Sequence, residues 1–317
     1  MPECVTVLTH GDLDGMVCAI LVLRRSAGAD ADVRITNAEH LHHALGKLAR
    51  ETCLPKRLFV LDIPLQMAHQ APVVGALRDL SQRGVAVHLY DHHHGWDEAP
   101  EVTALCATYS VSTAKTTAAA LVWRGLCRHD RGSHVWLRLL SERSNSSDPS
   151  IVERFGLLAA LMQPQHYAHT EAVLKALARE DELSDEYRAL AEWYYEAHAP
   201  RQEALASRAE VLTTRAGRRI GWLDLRGEEG YLLVASHVAE QLCVELVVTV
   251  TNRTVTLGGQ SIDEGTDLTA LHGEHTVDGV RLVVAGHKSP VRIDPADSRE
   301  VTDGFVEAAQ ALVAERL

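Results

Sequence analysis

The chain has 317 residues, 46% of them hydrophobic, with a formal charge of −12, 18 histidines and six cysteines. That length suits two domains with real cores, the composition excludes wholesale disorder, and the negative charge excludes a surface built to coat long nucleic acid, which needs many Lys and Arg against phosphate. No apolar run approaches the roughly 18 residues of a transmembrane helix; the first residues lack a basic start and a signal-like apolar core, so the expected location is the cytoplasm.

Residues 4–10 (CVTVLTH) are apolar and β-rich and predict a buried strand. Residues 15–28 carry helical spacing up to a glycine. A strand is predicted over 32–38, a helix over 41–52, and a strand over 57–65 with Asp62 near its end and Pro64 closing it. A helix over 71–84 leads into VAVHLYDHHHGW (85–96), a strand running into histidines. Alternating strands and helices imply a parallel sheet with helices on its faces. Ligands bind such sheets beyond the carboxyl ends of the strands, where His10, Asp12, Asp14, Asp62 and Asp91–His94 all fall. From 113 to about 212 the spacing of Leu, Ala, Val and Trp predicts packed helices, interrupted by the polar SERSNSSDPS of 141–150. From about 216 strand-like runs return, and 301–317 predicts a closing helix. The expected fold class is α/β: a parallel-sheet domain over 1–150, a helical connector over 151–215, and a smaller α/β domain over 216–317.

Taken singly, the acids and imidazoles have ordinary explanations. H-x-D-x-D-G over 10–15 fits a solvated strand-to-helix turn with an N-cap aspartate. Asp62 fits a strand-ending acid, and His92 and His93 fit surface or hydrogen-bonded histidines. Gly11 and Gly15 permit a tight turn and a close backbone approach. Gathered on one rim, these groups would leave carboxylates repelling each other in a partly dry cleft. Divalent cations remove that cost. Carboxylate and imidazole ligation without thiolate suits Mn²⁺, with Mg²⁺, Co²⁺, Fe²⁺ or Zn²⁺ possible, and bridging carboxylates favour two ions. None of the six cysteines lies in a C-x-x-C pair, which argues against a thiolate zinc site. In a cytoplasmic chain they read as small buried apolar residues. Nucleophile-elbow and P-loop patterns are absent, so a protein nucleophile and ATP-driven chemistry are not expected.

THGDLDGM (9–16), LFVLDIP (58–64) and YDHHHGW (90–96) occur in order and resemble the first three motifs of the DHH phosphoesterase superfamily, which includes RecJ-like exonucleases, nano-RNases, cyclic-dinucleotide phosphodiesterases and manganese-dependent pyrophosphatases. The HGDLDG form is most similar to the oligoribonuclease and nucleotide-phosphodiesterase branch. The stretch from Val250 to Pro290 resembles the DHH-associated substrate domain, with AGHKSP in the place of a Gly-Gly-His motif. The resemblance implies that His10, Asp12 and Asp14 are metal ligands and that Asp62 bridges or supports both ions. It implies that Asp91 and His92 form the next ligand pair, with His92 directly on metal, and that His93 faces the substrate phosphate. His94 has no family counterpart and reads as a supporting or surface residue. The family supplies a further metal-binding aspartate after the next helix. Asp148 is the nearest match and Asp130 its rival, although Asp148 also fits a plain N-cap before PSIVERF.

In the C-terminal region, Gly286 beside His287 and Lys288 reads either as a turn before a final strand or as a phosphate-holding loop. The family's first glycine there is Ala285, which would narrow the room for a base or sugar. Arg253 reads as a solvated turn arginine or a partner for a terminal phosphate. Ser112, Thr113 and Lys115 read as a helix start, with or without phosphate on its N–H groups. The function implied is a phosphodiesterase using water activated by two metal ions, cutting short oligonucleotides or linear and cyclic dinucleotides to nucleoside monophosphates. Catalytic roles fall to His93 and Asp91, substrate binding to Arg253, Gly286, His287 and Lys288, and selection of short ligands to a cleft between the domains. No long polymer and no membrane are expected as partners, and a homodimer is possible. The competing expectations are a manganese-dependent pyrophosphatase or small phosphomonoesterase, and a non-catalytic scaffold of the same fold.

Overall fold

The structure is a computed structural model that describes residues 4–27, 29–93, 95–112, 116–163, 166, 169–179, 183–228, 234–259, 268–286, 291–296 and 300–317. The chain divides into two compact units, residues 1–194 and 195–317. Among the described residues, no helix is long and apolar enough to cross a membrane.

The first unit is built on five strands: β1 (Cys4–Thr9), β2 (Asp30–Ile35), β3 (Arg57–Leu61), β4 (Ala86–Asp91) and β5 (Thr108–Val111). They lie in the order β2-β1-β3-β4-β5, every neighbouring pair parallel. Leu58 to Leu61 of β3 are all buried, as a central strand covered on both faces requires. Helices α1 (Leu13–Arg25), α2 (Leu41–Ala49) and α3 (Gln70–Gln82) connect the first four strands. On one face, Leu8, Leu58, Val60, Val87 and Leu89 pack with Leu41, Leu45 and Leu48 of α2 and Val73, Leu77 and Leu80 of α3. Helix α1 is buried along nearly its whole length, from Gly15 to Leu23. A helix apolar all round belongs in the interior, and α1 is covered by α4 (Ala118–Val122) and α7 (Thr170–Arg179).

The remaining helices of this unit are α5 (His134–Glu142), α6 (Pro149–Leu161) and α8 (Asp185–Trp193), with α6 packed on both. The described residues between 116 and 198 are mostly helical, as the spacing predicts, with π-type turns at 123–127 and 194–198. β5 lacks a sequence signal because TYSV is short and only half-buried at the edge of the sheet.

The second unit holds a seven-stranded mixed sheet. Its strands are β6 (Glu210–Thr213), β7 (Arg219–Asp224), β8 (Leu246–Val250), β9 (Val255–Gly259), β10 (Gly273–Val277), β11 (Val280–Gly286) and β12 (Val291–Pro295), ordered β10-β11-β12-β9-β8-β7-β6. Only β7 and β8 pair in parallel, across the crossover helix α10 (Val234–Leu242). Period-two alternation assigns the faces. Ile220, Trp222, Leu246 and Val248 pack with Phe305 and Leu312 of α11 (Asp303–Arg316). Leu223 and Val247 pack with Val238 of α10 and Leu205 of α9 (Ala199–Ala206). β6 corrects the helical reading of residues up to 212: its exposed EVLT pairs along β7, and strand pairing outweighs the helical spacing before it.

The cysteines also depart from expectation. Cys18 and Cys127 are buried, but Cys4, Cys53 and Cys243 are exposed.

Candidate metal centre

The parallel order of the first sheet brings the sequence clusters together. β3 lies between β1 and β4, so the residue that follows β3 stands between those that follow its neighbours. The ladder runs on past the strand ends. His10 N donates to Leu61 O at 3.2 Å, Asp62 N to Tyr90 O at 2.9 Å, and Ser112 N to Asp91 O at 3.1 Å. Asp62 therefore sits in the middle of the rim, with His10 on one side and Asp91 on the other.

Among the described residues, two groups of side chains there bring their ligating atoms within 4.8 Å of one another: His10, Asp12 and Asp62, and Asp62, His92 and His93. Asp62 belongs to both. It is fully buried, and neither carboxylate oxygen accepts a hydrogen bond. Its backbone lies in the left-handed region, φ 58°. Aspartate enters that region more readily than most residues, yet at a cost of about 1–3 kcal/mol that the surroundings must sustain.

Each neighbour is held by the local fold. Asp12 caps α1, its Oδ1 accepting from Gly15 N at 2.9 Å, while Oδ2 lies 2.8 Å from His10 Nδ1, off the hydrogen-bonding line. Gly15 is required because a Cβ there would lie 2.5 Å from His10 O. Asp14 reaches across to α4: its two oxygens accept from Ala118 N at 2.8 Å and Ala119 N at 2.9 Å. Asp91 Oδ1 accepts from His93 N at 2.5 Å and lies 3.0 Å from His93 Nδ1, leaving Oδ2 without a partner. His92 Nε2 lies 3.3 Å from Asp62 Oδ1 and 3.7 Å from Asp14 Oδ2. The chain turns sharply after the histidines at Gly95 (φ 104°), where any Cβ would strike Leu65 O.

The electrostatics follow from this crowding. Burial, then the charges of Asp14, Asp12 and Asp91, push the Asp62 carboxyl well above the usual carboxylate range. Burial and Asp12 raise Asp14 to about 7, against the pull of the α4 amides. Burial alone would raise Asp12 too, but His10 and the Gly15 N–H override it and hold its carboxyl low. Burial and the neighbouring His93 lower His92 to about 4. His10 and His93 move up despite burial, through Asp12 and Asp91 respectively. Two ionised carboxylates within 4.8 Å repel by at least about 3 kcal/mol at an effective dielectric near 20. Protons or cations must therefore sit among them.

The donor set fits divalent cations. Asp62 offers two oxygens that accept no hydrogen bond, and Asp91 offers one. The ligands are carboxylates and imidazoles, the mixture that suits Mn²⁺ and its neighbours. Cys18, buried near these acids, has its thiol pushed far up by burial and by their charge, so it does not compete as a thiolate.

Other residues singled out from the sequence lie elsewhere or outside the described residues. Asp148 belongs to neither group. It caps α6 through Ser150 N at 3.1 Å and pairs with Arg138 at 3.1 Å, the ordinary cap that its position before Pro149 suggests. Asp148→Ala is expected to lower stability by about 1 kcal/mol and to leave Mn²⁺ affinity unchanged, read by chemical denaturation and by calorimetric titration. Asp130 is likewise occupied by Gly132 N, Ser133 and Arg24. Arg253 is exposed in the β8–β9 turn, its N donating to Thr251 Oγ1. Gly286 ends β11. His94, Thr113, Lys115, His287 and Lys288 lie outside the described residues. The α4 amides that hold Asp14 carried no sequence signal, being backbone groups more than a hundred residues away.

No family model and no curated protein matches the sequence. Solved structures do match its fold. A pGpG-specific phosphodiesterase, PggH from Vibrio cholerae, is 14% identical with a TM-score of 0.54, the match covering 99% of each chain. RecJ from Thermus thermophilus, in complex with Mn²⁺, is 15% identical with a TM-score of 0.53, over 98% of this chain and 52% of that one. A DHH domain from a protein described as a member of a family of ribosomal proteins is 13% identical with a TM-score of 0.56, over 98% of this chain and 86% of that one.

Proposed function

We propose that this chain, which has the fold of the DHH superfamily, is a metal-dependent phosphoesterase that hydrolyses short oligonucleotides or linear and cyclic dinucleotides to nucleoside monophosphates. The observation that carries this reading is Asp62, fully buried, with no hydrogen bond to either oxygen and shared by two ligand groups. A solvated turn does not account for it.

Divalent ions, Mn²⁺ first among them, supply such a site with a water of lowered pKa and a Lewis-acid hold on phosphoryl oxygens. His10 and Asp12 would hold one ion, His92 and Asp14 the other, and Asp62 both. His92, neutral because burial keeps it so, has its nitrogen lone pair ready. Asp91 fixes His93 twice, at its backbone N–H and at Nδ1. With its ring protonated, as Asp91 favours, His93 would donate from Nε2 to a phosphoryl oxygen and stabilise charge developing there. Arg253 and the Gly286–Lys288 stretch are the proposed contacts to the rest of the substrate. A net charge of −12 disfavours long polyanions.

Similarity to a pGpG-specific phosphodiesterase along the full length of both chains supports the choice of dinucleotide over pyrophosphate. The test is turnover of the Mn²⁺-loaded protein on pGpG, a cyclic dinucleotide, pyrophosphate and a longer RNA. Mononucleotide release from the dinucleotides is expected. Hydrolysis of pyrophosphate alone would overturn the substrate assignment, and no Mn²⁺ binding would leave only a scaffold of this fold.

A further inference from the structure

The first unit contains a cavity apart from the metal centre. It has a volume of about 470 Å³ and lies where α5, α6 and α8 begin and α1 ends. Four arginines line it: Arg24, Arg131, Arg154 and Arg188. Among the described residues, Glu153 is its one lining carboxylate. In a chain of net charge −12, such a concentration of guanidinium is against the average.

The four are not equivalent. Arg154 is buried at 8% exposure; it donates to Ser150 O at 3.0 Å and stacks with its Cζ 5.5 Å from the centre of the buried Trp136 ring. Arg24 pairs with Asp130 at 3.3 Å. Arg188 pairs with Asp185 at 3.1 Å and Glu153 at 4.0 Å, both surface pairs that water already weakens. Arg131 is exposed and has no ion pair among the described residues. A neighbouring cavity of about 450 Å³ shares Arg24 and adds Lys175 and Arg179. Val135 and Leu183 give the first cavity an apolar wall.

We infer that this cavity binds a small organic phosphate carrying at least two phosphoryl charges. Guanidinium forks match phosphoryl oxygens two at a time. The volume lies within the range of ligand pockets and exceeds what a bare phosphate fills, and the apolar wall offers a surface for the organic part. The site is separate from the metal centre. Arg24 stands ten residues along α1 from Asp14, about 15 Å at 1.5 Å per residue. The inference therefore stands whatever the metal centre hydrolyses.

The experiment is calorimetric titration of ADP into the full-length protein with EDTA present, which removes binding through metal ions. One equivalent is expected to bind with a micromolar dissociation constant, and adenosine is expected not to bind. Arg131→Glu, on an exposed side chain whose change leaves the core intact, is expected to weaken ADP at least tenfold. Arg131→Lys should weaken it less, and Arg215→Glu, on an exposed side chain in the other unit, not at all. Absence of binding up to millimolar ADP overturns the inference. So does equal affinity in R131E, or adenosine binding as well as ADP.

Discussion

The Asp62→Asn variant is expected to lose divalent-cation binding and to retain no more than about one thousandth of the wild-type kcat/KM on a dinucleotide, a loss of about 4 kcal/mol of transition-state stabilisation. Asparagine tolerates the left-handed backbone that Asp62 adopts, so the change removes a charge rather than a conformation. It takes away the one carboxylate common to both ligand groups. The same substitution should raise the melting temperature of the metal-free protein, because the wild type buries there a carboxylate with no donor, pressed by three others. Loss of activity with gain of stability is the signature of a residue held in place for chemistry. A D62N protein that binds Mn²⁺ with wild-type affinity, measured by calorimetry or by manganese electron spin resonance, would refute the bridging assignment.

Lowering the pH from 8 to 6 is expected to weaken Mn²⁺ binding by about tenfold through Asp14 alone. In the metal-free fold its carboxyl sits at about 7. Above that value it is ionised and free to bind; below it, each ion must first displace a proton. With a midpoint at 7, the ionised fraction falls about tenfold between the two pH values. Asp62 and His10 are shifted upward too, so their protons add to the loss in the same direction. His92, lowered to about 4, is already neutral across this range and adds nothing. Titrations at pH 6, 7 and 8 should give a slope that steepens towards one proton per ion below pH 7. An affinity that does not change with pH would mean that these carboxylates are not the ligands.

Much of this was legible in the sequence because parallel sheets write themselves plainly. β1, β3 and β4 are apolar runs that end in acid or imidazole, and the strand–helix alternation places those ends on one rim. Of the four edge strands, only β2 was legible. β5, β6 and β10 are short and partly exposed, with too few apolar residues to stand out from a loop or helix. At the site, the participants could be read but not their geometry. A left-handed backbone at a non-glycine residue such as Asp62 is dictated by tertiary packing and leaves no local mark. The Asp-Pro pair at 148–149 signalled a helix cap, and the structure puts Asp148 to that use.

Asp14 has two allegiances. Its oxygens lie within reach of His92 and are also gripped by the first two amides of α4. Whatever draws that carboxylate towards the rim must loosen the grip, and whatever restores it must tighten the helix start again. Amide hydrogen exchange at Ala118 and Ala119 would thus report from a distance whether the pocket is filled, a built-in gauge of occupancy carried by peptide N–H groups that never touch the ion.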